Sequence, residues 1–63
     1  MGKATFKVFH TGDHVVITSD HLIIKGQYGT IKRWVHGDWY VVTLVSGKDA
    51  VVRAAEMEAE NPA

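Results

Sequence analysis

The chain has 63 residues, 46% of them apolar, with no cysteine and seven Lys/Arg against seven Asp/Glu. That length allows one domain, and the missing cysteines exclude disulfides and thiolate metal sites. No apolar run reaches the roughly 20 residues of a membrane-spanning helix. Zero net charge sets the chain apart from proteins that hold nucleic acid by a large basic excess.

The charge is unevenly spread. Residues 1–53 carry all seven bases and four acids, a net of +3, and the last ten residues carry Glu56, Glu58 and Glu60. The body is mildly basic and the tail acidic. The start of the chain, from Met1 to Lys7, lacks the apolar stretch of a secretory leader. A cytoplasmic protein is therefore expected.

Residues 1–9 read as an arm or short strand, with Phe6 and Val8 alternating against Lys7. Thr11-Gly12-Asp13 is a turn, and the β-branched run His14 to Thr18 is a strand. Ser19 to Gln27 is a longer loop. Thr30 to Val35 is a second strand, His36-Gly37-Asp38 a hairpin turn, and Trp39 to Leu44 a third strand. Ser46-Gly47-Lys48 turns the chain into a fourth strand, Asp49 to Arg53. Ala54-Ala55-Glu56 suits one helical turn, and Met57-Glu58 a short fifth strand. The expected domain spans residues 10–58, followed by a disordered acidic tail over 59–63. A meander of five short strands closes best as a small barrel, since closure removes unpaired edges.

Two stretches resemble known families. Gly12-Asp13-His14-Val15-Val16-Ile17, followed by Lys25-Gly26-Gln27-Tyr28-Gly29-Thr30-Ile31, resembles the KOW pattern of SH3-like barrels in ribosomal proteins and transcription-elongation factors. The resemblance implies an all-β fold: a five-stranded SH3-like barrel with one helical turn before the last strand. It leaves the ligand open, because such barrels serve RNA, DNA, peptides and larger assemblies. RNA-binding members carry glycine and charge where this loop has Leu22, Ile23 and Ile24. The type B dihydrofolate reductases of plasmids and integrons are similar at fold level, with an opening Gly-Asp-x-Val and a closing valine strand. Their catalytic Val-Gln-Ile-Tyr is replaced here by Val51-Val52-Arg53-Ala54, so that likeness implies fold and not activity, and an oligomeric reductase-like enzyme with its pocket between subunits is the least favoured reading.

Strict alternation sorts the strands into faces. Val15, Ile17, Ile31, Tyr40, Val42, Leu44, Ala50 and Val52 point inward, and Met57 plugs the barrel end. Trp34, Trp39, Val41 and Val51 then point outward beside Lys32 and Arg53. Aromatic and apolar side chains next to cations have the composition of interface hot spots. The expected docking surface is Trp34, Trp39, Val41, Val51 and Arg53, joined by Leu22 and Ile23 of the loop. It would serve a protein partner or a second copy. The alternative ligand is nucleic acid, held by Lys25, Lys32, Arg33 and Arg53 with Trp34 stacked on a base.

The remaining candidates carry little chemistry. His10, His14, His21 and His36 do not share a strand face, so no metal site is expected. Ser19-Asp20-His21 are consecutive and cannot converge as a triad in an extended loop. No catalytic residue, cofactor or membrane contact is expected.

Overall fold

The computed structural model describes residues 8–60 of the chain. Of the expected arm, residues 1–7 lie outside the described residues, as does the end of the expected tail, residues 61–63. The order is β1 (His14–Ile17), β2 (Tyr28–His36), β3 (Trp39–Leu44), β4 (Asp49–Arg53), a 3-10 turn at Ala54–Glu56 and β5 (Met57–Ala59). The strands form one antiparallel sheet in the order β4-β3-β2-β1-β5. It curls around a single core, the five-stranded all-β arrangement expected from the sequence, but β4 and β5 are not paired with each other, so the ladder keeps two edges instead of closing.

The turns set the register. β2 and β3 are joined by Gly37 and Asp38 alone, with Gly37 at φ +56° and no positive φ at any non-glycine residue described. A glycine with positive φ at the first central position only is the type II′ pattern, whose twist matches that of the flanking strands. The 3-10 turn after β4 is closed at both ends. The Arg53 N–H donates to Glu56 Oε1 at 3.0 Å, and the Met57 N–H donates to the Ala54 carbonyl. That turn swings Met57 across the barrel end and brings β5 against β1, with Ile17 opposite Met57 and Val15 opposite Ala59.

Every inward residue named above is in the core or against it. Val15, Val42, Val52 and Met57 are fully buried, and Ala50, Leu22 and Ile24 pack against the same cluster. The core also holds Phe9, which alternation missed. Its ring meets Tyr40 edge-on at 5.7 Å, and its N–H donates to the Tyr40 hydroxyl. At the other end, Ala59 belongs to β5 and the Glu60 N–H donates to the His14 carbonyl.

The stretch after β1 is a chain of turns. Its base is clamped by Ile17, whose N–H donates to Gln27 and whose carbonyl accepts from Gly26. The Leu22-Ile23-Ile24 run is split by this path. Leu22 and Ile24 fold down on the core, and Ile23 stands fully in solvent.

Candidate interaction surface

The outer face of β2, β3 and β4 departs from strict alternation because β2 is irregular. Ile31 pairs with Val42, but Arg33 pairs with Val41, so Lys32 is an extra residue in a β-bulge. A bulge puts two residues opposite one and shifts the parity of all that follows. Lys32 and Arg33 therefore both lie on the outer side, where alternation separates them. Trp34, expected beside Trp39, pairs instead with Tyr40, whose ring belongs to the core. It comes out on the other side of the sheet, 58% exposed, with its indole Nε1–H donating to the Gly37 carbonyl at 2.9 Å. A second shift, between Trp34 and His36, restores the outer parity and pairs His36 with Trp39.

Beyond the bulge, β3 and β4 are regular: Trp39 faces Arg53, Val41 faces Val51 and Thr43 faces Asp49. The middle of this face is apolar. Val51 is 59% exposed, whereas Val41 is only 7% exposed although it lies outside the core cluster. Val41 was expected to be accessible. It is covered because Arg33 and Val51 flank it on the neighbouring strands.

The ends of the strip are charged and internally paired. At one end, Arg53 stacks over the Trp39 ring at 5.1 Å, a cation–π contact. Its Nε also donates to Asp38 Oδ2 at 3.3 Å. At the other end, Lys32 Nζ donates to Asp49 Oδ2 at 2.9 Å, and the Thr43 hydroxyl donates to Oδ1 at 2.8 Å. From the sequence these carboxylates were expected in a turn and at a strand start, but not as partners of the cations. Lys32 and Asp49 are 17 residues apart and meet only through strand register.

The hydrogen bond from Lys32, then that from Thr43, holds the Asp49 carboxyl below its ordinary pKa. A depressed carboxylate contributes stability that is complete above its unfolded pKa and disappears as pH falls through the folded value. Asp49→Asn is therefore expected to lower the urea midpoint at neutral pH. In acid strong enough to protonate Asp49 in the fold, the two proteins should have equal midpoints. A deficit that persists unchanged in acid would assign the loss to shape rather than charge.

The other expected residues sit apart from this face. Lys25 is ion-paired with Asp20 within the turns after β1. Leu22, expected on the docking surface, is half-buried against the core, and only Ile23 of that pair is available. A groove of about 310 Å³ runs between His14, Tyr28, Thr30, Thr43, Val45 and Glu60, with Thr30 Oγ1 and His14 Nδ1 3.3 Å apart. Among the described residues, no three His, Asp or Glu converge as metal ligands, and no helix is long and apolar enough to cross a membrane. Comparison with protein-family models, curated proteins and solved structures finds no match to this chain.

Proposed function

We propose that the chain is a non-catalytic SH3-like binding module that docks on a protein surface, its own included. The docking surface is the outer face of β3 and β4, from Trp39 through Val41 and Val51 to Arg53. One observation carries this reading: the centre of the face is apolar and partly open, while its cations are already held by the chain's own carboxylates. Lys32 is bonded to Asp49, and Arg53 to Asp38. Lys25, away from the face, is bonded to Asp20. A phosphate backbone would have to displace these carboxylates, and of the four cations expected at nucleic acid only Arg33 has no ion pair among the described residues. An apolar protein surface needs no such displacement, and a tryptophan with a stacked arginine suits it.

The test is amide and indole NMR of the full chain, recorded over a protein dilution series and over a titration with single-stranded RNA and DNA at low and moderate salt. The expected result is that Trp39, Val41, Val51 and Arg53 move with protein concentration and ignore the oligonucleotides. Shifts at Lys25, Lys32, Arg33 and Arg53 on adding oligonucleotide, fading steeply with salt, would replace this reading with nucleic-acid binding.

A further inference from the structure

β4 is an outermost strand of the sheet, and its ladder parity shows which backbone groups face outward. The Leu44 N–H donates to Lys48 at 2.7 Å, and the Ala54 N–H donates to Asp38 at 2.8 Å. Backbone direction alternates along a strand. Ala50 and Val52 therefore point their N–H and C=O at β3, while Asp49, Val51 and Arg53 point theirs away from it. The Arg53 N–H is taken by Glu56, as that parity requires. The Arg53 C=O, at the N-cap of the 3-10 turn, accepts that turn's first bond, so among the described residues the open side of β4 is left with the N–H and C=O of Asp49 and Val51. Open edges of this kind are templates for another strand.

We propose that β4 pairs antiparallel with β4 of a second copy of this chain, about a two-fold axis at Val51. This rests on the docking reading above and names the partner. The strand Asp49-Ala50-Val51-Val52-Arg53 has opposite charges at its two ends. In the antiparallel register, Val51 meets the partner's Val51, Asp49 meets the partner's Arg53, and Arg53 meets the partner's Asp49. Asp49 keeps Lys32 and Arg53 keeps Asp38, and a parallel register would still set like charges on one another, so the charges favour the antiparallel orientation. The hydrogen-bonding groups agree with the side chains. The outward-pointing residues are the same three that face one another, so the Val51 pair exchanges both backbone bonds. The Arg53 N–H and C=O both stay with Glu56, so the two Val51 bonds carry the pairing. The contact is isologous and closes at two copies. It also extends the Trp39–Val41–Val51 strip across both.

Sedimentation velocity over a concentration series and amide hydrogen exchange of the full chain test this together. The expected result is a reversible dimer in which the Val51 amide exchanges more slowly as concentration rises, while Ala50 and Val52 exchange at constant rates. Asp49→Arg should weaken the dimer about tenfold, and adding Arg53→Asp to it should restore the dimer. Val51→Lys, at a solvent-exposed position, should give a folded monomer by circular dichroism. Monomer at every concentration overturns the proposal, as does a dimer that ignores both Asp49→Arg and Val51→Lys. If the Trp39 indole shifts with concentration but the Val51 amide is not protected, edge pairing is wrong and the docking face stands.

Discussion

Gly29→Ala is expected to cost the fold about 1–3 kcal/mol, the range for forcing a methyl group into a filled core. Gly29 pairs with Val15 on one side and Leu44 on the other, and its inward side has no room. A Cβ built there would sit 2.6 Å from Val42 Cγ1 and 2.9 Å from the Thr43 carbonyl oxygen. Neither neighbour yields easily. Val42 is β-branched, stiff at χ1 and fully buried, and Thr43 is fixed between β2 and β4. Alanine does restrict the unfolded chain, a gain of about 0.4–1 kcal/mol where the native conformation accepts it. The clash outweighs that gain. For a domain of this length the whole stability is about 3–9 kcal/mol, so the loss is a large share. The check is a urea titration, with the midpoint lowered and the slope unchanged. Val42→Ala removes the nearest obstacle, so the double variant should lose less than the sum of the single variants. Additive losses, or an unchanged midpoint for Gly29→Ala, would mean that the close approach is not a constraint.

The same glycine marks where sequence reading succeeds and where it stops. Gly29 stands in the KOW-like motif read from the sequence, but the crowding from β3 that requires a glycine there is visible only in the fold. The bounds of β3, β4 and the 3-10 turn were legible because short glycine turns and β-branched runs bracket them. The faces of β3 and β4 followed from alternation, because no bulge interrupts that pair. β2 was different. It bulges at Lys32, and no residue there announces it. One extra residue moved Trp34 off the Trp39 face and joined Lys32 to Arg33. The Lys32–Asp49 and Arg53–Asp38 pairs were illegible for a related reason, since each joins different strands or turns through tertiary register. Phe9 was missed because only its partner, the Tyr40 hydroxyl, explains why the chain entering β1 is pulled inward.

Met57→Ala is expected to cost more than any surface change, about 2–5 kcal/mol, the range for truncating a buried methionine and leaving a cavity. Met57 is fully buried and is the only buried residue of β5, since Glu58 and Ala59 are exposed. A three-residue strand with one inward side chain owes its position to that side chain. The backbone bonds that bracket it are the Thr18 N–H to the Glu56 carbonyl and the Glu60 N–H to the His14 carbonyl, each 2.9 Å. They hold only while β5 lies against β1. Truncation should thus act twice, opening a cavity beside Ile17 and freeing the last strand. The expected signature is a lowered urea midpoint together with fast exchange of the Thr18 and Glu60 amides, while the β2–β3 amides remain slowest. Met57→Leu keeps the volume and should cost less than about 1.5 kcal/mol. Equal losses for the two variants would place the requirement in the methionine's shape. A loss below about 0.5 kcal/mol for Met57→Ala, the range of ordinary surface changes, would remove Met57 as the plug of the barrel.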